Sequence, residues 1–184
     1  QSGRLSDYVE LQILRRRDPA FRSSDTLVRW KAAAQPIKHQ LGDAAGQFDW
    51  ASTPGQGRGY MSYGPYIRLP PGSYGAEFAI SVDVPTEPTQ EPLFYLDVTA
   101  EDPLTGKLGT FLLGRKIAHY PDLVDGDRES WIIPFQLDRI FQFVEFRVYT
   151  YGNSSLRYHS VVLATEESVI RVRYGPGESR SSSQ

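Results

Sequence analysis

Alternating apolar and polar positions run through the middle of the chain and predict β-strands. Between Tyr74 and Val84 every second residue is apolar, while Ser81 and other polar residues occupy positions between them. A period of two residues is typical of a strand with one buried face. Segments 93–100 and 143–151 show the same alternation. We therefore predict a core built from nine residues of these three segments: Tyr74, Phe78, Ile80, Val82, Phe94, Leu96, Val98, Phe146 and Val148.

Turn residues divide these strands from one another and indicate the fold class. Pro70-Pro71-Gly72 separates strand 60–69 from strand 74–84 and suits a tight connection between antiparallel neighbours. Pro134 places its own strand at a sheet edge or at a bulge. The predicted strands recur at regular spacings and number about eight to ten, which is typical of a sandwich or jelly roll. The prediction is a single all-β fold, an antiparallel, jelly-roll-like β-sandwich, with its last strand at 169–174.

The first fifty residues leave two alternatives open. Residues 8–13 alternate as a strand would, but they could equally begin a short helix. Ser24-Asp25 could cap a short helix before Trp50, which would carry Leu27, Val28 and Trp30 and end before Pro36. We divide the chain into an N-terminal segment packed on the sandwich (1–50), the sandwich (51–174) and a disordered tail rich in Gly, Ser and Arg (175–184).

Composition narrows the classes of function. A chain of 184 residues is most economically one domain. Its net charge of −2 argues against a nucleic-acid partner, which requires a basic surface. The absence of cysteine excludes disulfides, thiolate metal sites and a cysteine nucleophile, and it fits a cytoplasmic protein, with export as the alternative. No apolar run approaches the ~20 residues of a membrane-spanning helix.

Motifs for catalysis or metal binding are scarce. The three histidines, His39, His119 and His159, lie far apart and match no metal-ligand spacing, and no nucleophile elbow or phosphate-binding loop is present. These features favour a domain that is not an enzyme and has no cofactor. One acidic loop could bind a structural calcium ion, although a solvated loop is the favoured interpretation; its carboxylates are Asp122, Asp125 and Asp127.

Aromatic and charged positions point to carbohydrate binding instead. Sugars offer apolar CH faces to aromatic rings and hydroxyl groups to carboxylates or arginine. Three rings, those of Trp50, Tyr60 and Tyr63, lie on or beside the Gly-rich loop 52–59. A polar shelf on the outer side of one strand would add three more candidate ligand-binding residues: Glu145, Arg147 and Tyr149. The alternatives are packed rings and a surface ladder of cross-strand pairs. We interpret Tyr66 and Tyr74 as core residues.

Residues 63–74, YGPYIRLPPGSY, resemble a signature of β-sandwich accessory domains of bacterial glycosyltransferases. Those domains resemble carbohydrate-binding modules and accompany enzymes of surface-polysaccharide assembly. The likeness extends to residues 96–98 and 144–148 and spans residues 55–163. The resemblance implies a β-sandwich that binds carbohydrate, and it implies no catalytic residue.

Three hypotheses of function follow. The first is a non-catalytic carbohydrate-binding module of a bacterial polysaccharide-assembly protein, whose partner is an oligosaccharide or polysaccharide. The second is a protein–protein or oligomerisation module, because exposed tyrosine and arginine are also favoured at protein interfaces. The third and weaker one is a glycan-active lyase or hydrolase.

Overall fold

The computed structural model describes residues 26–83, 85, 89–120, 123 and 128–165. Twelve strands form the regular structure of these residues. In this part of the chain there is no α-helix, and no helix is long and apolar enough to cross a membrane. In chain order they are β1 (Thr26–Lys31), β2 (Lys38–His39), β3 (Asp43–Ala45), β4 (Asp49–Ser52), β5 (Gly59–Tyr63), β6 (Ile67–Leu69), β7 (Gly72–Asp83), β8 (Phe94–Ala100), β9 (Phe111–Ala118), β10 (Arg128–Leu137), β11 (Phe141–Thr150) and β12 (Ser155–Thr165).

The strands form two antiparallel sheets. The first sheet has the order β10-β7-β12-β4-β3, and β1 also pairs with β12. The second has the order β2-β5-β11-β8-β9, and β6 also pairs with β11. The chain crosses repeatedly from one sheet to the other, as in a jelly roll. The predicted all-β, jelly-roll-like antiparallel sandwich is confirmed.

The core lies between the two sheets and contains all nine predicted core residues, each of which is buried. Phe146 of β11 contacts the first sheet across this core. The Phe146 ring is 5.7 Å from Trp30 of β1 and 6.4 Å from Phe78 of β7, both in the opposite sheet. Phe94 and Trp131 make a second contact between the sheets, edge to face at 5.3 Å. The alternation in the sequence therefore identified the inward faces correctly.

The short helix predicted over Leu27 to Trp30 is wrong, because this segment is strand β1. It pairs with β12 from Thr26 opposite Ala164 to Lys31 opposite Ser160. Pairing satisfies its backbone groups and buries its apolar side chains, and such tertiary contacts override a local capping signal. Strands β1 to β3 lie within the predicted N-terminal segment 1–50, and β4 crosses its boundary with the predicted sandwich.

The segment predicted as one strand over residues 60–69 is two strands, β5 and β6. Pro65 between them has no N–H to donate to a neighbouring strand. Gly64 has φ 105°, and its carbonyl accepts a hydrogen bond of 2.8 Å from the Phe146 N–H. Tyr66 adopts φ 59° and remains half-exposed, so its assignment to the core is wrong.

Pro134 was predicted to lie in an edge strand or at a bulge, and it lies in an edge strand. Its strand, β10, is at the edge of the first sheet and pairs only with β7 among the described strands. The predicted strand 169–174, the tail 175–184 and residues 8–13 lie outside the described residues.

Candidate functional site

The outer face of the second sheet collects polar and aromatic side chains from four strands. Between β11 and β8, three cross-strand pairs are in register: Glu145 with Thr99, Arg147 with Asp97, and Tyr149 with Tyr95. Neighbouring strands add Arg115 opposite Asp97 and Tyr60 opposite Tyr149. Directly opposed residues of antiparallel strands project from the same face. We call this surface the tyrosine face; its members are Tyr60, Tyr95, Asp97, Arg115, Glu145, Arg147, Tyr149 and, just beyond β11, Tyr151.

A buried carboxylate holds the centre of the tyrosine face together. The Asp97 side chain is 0% exposed and accepts two parallel hydrogen bonds from Arg147, with Nε to Oδ1 at 2.7 Å and Nη2 to Oδ2 at 2.8 Å. Arg115 adds a third, Nη2 to Oδ2, at 3.0 Å. Burial opposes the charge on Arg147, but the hydrogen bonds and charge of Asp97 raise its pKa. Arg147 is therefore held as a cation, and its hydrogen bonds with Asp97, like that of Arg115, fix the guanidinium group in position.

Four half-exposed tyrosines form a cluster beside these charges. The rings of Tyr95 and Tyr149 stack at 4.6 Å with 8° between their planes. The Tyr60 and Tyr151 rings both contact the Tyr149 ring edge to face, with centroid distances of 5.3 Å and 5.4 Å. The Tyr95 hydroxyl donates to the Tyr60 hydroxyl at 3.2 Å, and burial raises the pKa of Tyr95. The cluster is a mutually packed aromatic surface that carries hydroxyl groups.

The two arginines join the charges to the rings. The Arg147 guanidinium lies 4.6 Å from the centre of the Tyr60 ring, and that of Arg115 lies 4.5 Å from the centre of Tyr95. Cation–π contacts of this kind restrict both partners. Because the side chain of Arg115 is still 39% exposed, its remaining N–H groups can donate to a ligand.

The Glu145 end of the tyrosine face is closed. Glu145 is buried, accepts a hydrogen bond from the Thr99 hydroxyl at 3.2 Å, and is hydrogen-bonded by Tyr66. The loop 101–110 lies over it, and the Gly109 carbonyl accepts a hydrogen bond from Arg147 Nη1 at 3.0 Å. The open shelf predicted at Glu145 and Arg147 is thus covered at its Glu145 end, while Tyr149 remains half-exposed.

Two glycines of this loop allow a matched test of the closure. Gly106 and Gly109 both have φ 66°, so alanine is equally strained at either position. A Cβ at Gly109 would collide with Glu145 Oε1, whereas at Gly106 the nearest atom is Glu101 Oε1 at 3.6 Å. Thermal and urea unfolding should show that Gly109→Ala costs about 1–3 kcal/mol more than Gly106→Ala. Equal losses in the two variants would mean that the loop does not rest on Glu145.

The buried Glu145 should also give a pH-dependent stability of defined sign. Burial raises the pKa of Glu145 from its ordinary value of 4.5, against the opposing effects of Arg147 and Thr99. A carboxyl whose pKa is higher in the folded state binds more protons there, so stability falls as pH rises through its folded pKa. When urea midpoints are measured from pH 4 upward, the midpoint of the wild type should fall as the Glu145 carboxyl ionises, and that of Glu145→Gln should not show this fall. Parallel pH profiles for the two proteins would contradict the assignment.

The structure brings together four of the six predicted ligand-binding residues, namely Tyr60, Glu145, Arg147 and Tyr149. Tyr63 lies on β5, half-buried, in register with Lys38 near the Tyr66 ring. Trp50 is elsewhere: it belongs to the first sheet, stacks on His39 at 3.7 Å, and its indole N–H donates to the Leu41 carbonyl at 2.8 Å. The binding roles of all six remain predictions.

Sequence reasoning missed four members of the tyrosine face, namely Tyr95, Asp97, Arg115 and Tyr151. The alternation of residues 94–100 placed Tyr95 and Asp97 on the polar side of their strand, but nothing local shows that this strand pairs with β11. The proposed calcium ligands, Asp122, Asp125 and Asp127, lie outside the described residues. Within the described ranges, no group of three or more His, Asp or Glu side chains could hold a metal ion.

Comparisons with known proteins find solved structures of similar fold. No protein-family model matches the chain, and no curated protein matches it. Among solved structures, the C-terminal CBM6 of the laminarinase LamC from Zobellia galactanivorans is 11% identical, with a TM-score of 0.48 over 75% of this chain and 98% of that one. A β-1,3-glucan-binding CBM6 from Bacillus halodurans is 12% identical, with a TM-score of 0.45 and coverages of 75% and 96%. The CBM22-1 xylan-binding domain of Xyn10C from Paenibacillus barcinonensis is 10% identical, with a TM-score of 0.45 and coverages of 77% and 95%.

Proposed function

We propose that this chain is a carbohydrate-binding module and that the tyrosine face is its binding site. The observation that carries the proposal is the half-exposed stack of Tyr95 on Tyr149, flanked by Tyr60 and Tyr151 and adjoining a fixed arginine pair. Sugar rings pack their CH faces on aromatic surfaces of this kind. Tyrosine hydroxyls and the exposed N–H groups of Arg115 supply hydrogen bonds to sugar hydroxyls.

The side chains of the tyrosine face are already held in position without a ligand, which also favours binding. Ring contacts, cation–π contacts and the Asp97 hydrogen bonds hold every side chain of the cluster in place. A preformed surface loses little conformational entropy when a ligand binds, so more of the contact energy appears as affinity. A long polysaccharide could then bind through a short stretch of residues.

The burial of both carboxyl groups of the tyrosine face supports a binding module that does not catalyse a reaction there. Glycoside hydrolysis uses one carboxyl group as an acid and a second as a nucleophile or base. Asp97 is fully buried and bound by two arginines, and Glu145 is buried beneath the loop 101–110. Neither carboxyl group is open to a glycosidic bond. A polysaccharide whose turnover disappeared in Glu145→Gln would support the hydrolase or lyase hypothesis instead.

We further propose that the module serves a bacterial protein of surface-polysaccharide assembly. This context rests on the resemblance of residues 63–74 to accessory domains of bacterial glycosyltransferases. A glycan array that includes bacterial capsular polysaccharides and O-antigens beside β-glucans and xylans tests it. Binding confined to the bacterial polysaccharides supports this context, whereas binding confined to the other glycans overturns the context and leaves the carbohydrate-binding module standing.

Single ring deletions test the site. Tyr60→Ala and Tyr149→Ala should each weaken binding of an array-selected glycan by about fivefold in calorimetric titration, since an aromatic contact contributes on the order of 1 kcal/mol. Phe48→Ala is the matched control, because Phe48 is an exposed ring outside the tyrosine face, 45% exposed. Unchanged affinity in both tyrosine variants, with the proteins folded, would remove this face as the site.

A second candidate function, self-association, has one observation in its favour. Large apolar side chains are exposed on and around the edge strand β9, among them Leu108, Phe111, Leu112 and Ile117. Exposed apolar surface beside a free strand edge is a common site of pairing between copies. Light scattering at increasing concentration decides the matter: a dimer that dissociates in Leu112→Lys supports self-association, and a monomer throughout rejects it.

A further inference from the structure

The outer face of the first sheet, on the other side of the sandwich, carries a chain of three hydrogen-bonded side chains. Ser81 Oγ lies 2.9 Å from His159 Nε2. The other ring nitrogen, His159 Nδ1, lies 3.1 Å from Asp49 Oδ2. A hydroxyl, an imidazole and a carboxylate in this order form the arrangement that activates a serine nucleophile.

The carboxylate determines which way each hydrogen bond points. An ionised Asp49 can only accept, so His159 Nδ1 must carry the proton and donate it. In the neutral imidazole, Nε2 then has the free lone pair, and the Ser81 hydroxyl must donate to it. This is the tautomer in which the histidine can remove the serine proton during attack on a substrate.

The fold brings the three residues together from distant parts of the chain. Ser81 lies on the outward side of β7, since its neighbours Ile80 and Val82 are buried. His159 stands at an irregularity in β12, where the register with β7 shifts between Tyr158 and Ser160. Bulges redirect side chains and are frequent beside active sites.

A pocket opens directly onto this chain. It has a volume of about 400 Å³, and Ser81 and His159 are part of its wall. This size is within the range of small-molecule sites, about 300–1,000 Å³. Two charged side chains, Arg157 and Asp83, also line the pocket, and Arg157 stands in register opposite Ser81.

We propose that Ser81, His159 and Asp49 form an acyl-transfer site that hydrolyses small carboxylic esters. The proposal is independent of carbohydrate binding at the tyrosine face. Ser81 Oγ bonds to the ester carbonyl carbon while its proton passes to His159 Nε2. The ester C–O bond then breaks, and His159 gives that proton to the departing alkoxide, which leaves as the alcohol. The acyl group remains bound to Ser81 Oγ. Water then attacks the acyl-serine by the same proton transfers and releases the carboxylic acid and free Ser81. Asp49 positions the imidazole, and Arg157 stabilises the negative oxygen formed during each attack.

A fluorophosphonate probe followed by peptide mass spectrometry tests the nucleophile, and hydrolysis of p-nitrophenyl acetate tests turnover. The purified chain should form one adduct, on Ser81. Ser130 is the matched internal control: it lies on the adjoining strand of the same sheet and donates to Glu77 Oε1 at 2.6 Å, and no histidine among the described residues is its partner. Ser81→Ala should abolish labelling and ester hydrolysis, and His159→Gln should slow both on the order of 100-fold or more.

The role of Asp49 needs a readout other than rate. Nitrogen-15 NMR of the imidazole should show His159 as the Nδ1–H tautomer in the wild type, and Asp49→Asn should remove that signature while slowing the labelling of Ser81. The absence of a Ser81 adduct in the folded wild type overturns the proposal. So does labelling of Ser81 at the same rate in His159→Gln, or an equal adduct on Ser130.

Discussion

Arg147→Met should lower the free energy of unfolding by about 3–5 kcal/mol, because the Asp97 carboxylate stays buried and loses one of its two arginine partners. Asp97 is 0% exposed and receives two of its three arginine hydrogen bonds from Arg147. The remaining bond, from Arg115, comes from a side chain that is still partly in solvent. Urea denaturation monitored by tryptophan fluorescence measures the loss.

An exposed ion pair on the same protein supplies the control. Arg139 and Asp138 lie 3.2 Å apart with side chains 58% and 76% exposed, so Arg139→Ala should cost at most about 1 kcal/mol. The double variant Arg147→Met/Asp97→Leu should recover part of the single variant's loss, since the buried Asp97 charge is then gone. Glu145 still loses Arg147, which lies 3.7 Å away, and keeps the Thr99 hydroxyl as a donor. If Arg147→Met were as mild as Arg139→Ala, Asp97 would have to be solvated, and the fixed centre of the tyrosine face would not exist.

Phe146→Ala should have a comparable effect on stability, about 3–5 kcal/mol, for a different reason. The Phe146 ring contacts Trp30 and Phe78 across the space between the sheets, so its removal leaves a cavity bounded by three strands. Phe143→Ala, three residues earlier on the same strand, removes a ring that is 39% exposed and should cost less than about 1 kcal/mol. Similar midpoints in thermal unfolding of the two variants would mean that the sheets do not pack through Phe146.

The residues whose environment is set by their own strand were predictable from the sequence. Tyr74, Phe78 and Phe146 are buried as the alternation requires, because one face of a sandwich strand always meets the other sheet. Residues 27–30 were mistaken for a helix because their partner is β12, at the far end of the described chain. Short apolar segments without a clear period do not distinguish a strand from a helix.

The candidate site was half predictable for the same reason. Glu145, Arg147 and Tyr149 share a face by simple alternation, but the register that sets Asp97 opposite Arg147 is a tertiary property. Tyr66 reaches Glu145 from a left-handed backbone conformation that tyrosine seldom adopts. The placement of the loop 101–110 over Glu145 follows from one glycine at a close approach, Gly109, and alternation says nothing about it.

The position of β12 has a consequence for how this protein is made in a cell. It is the last described strand, yet it lies inside the first sheet, between β7 on one side and β1 and β4 on the other. Among the described strands β1 has no other partner, so its backbone groups cannot form their strand hydrogen bonds until β12 has left the ribosome. A nascent chain that ends before β12 therefore exposes unpaired strand edges and much of the future core. The first sheet should therefore be completed only after release of this segment, and general chaperones are expected to bind the chain until then.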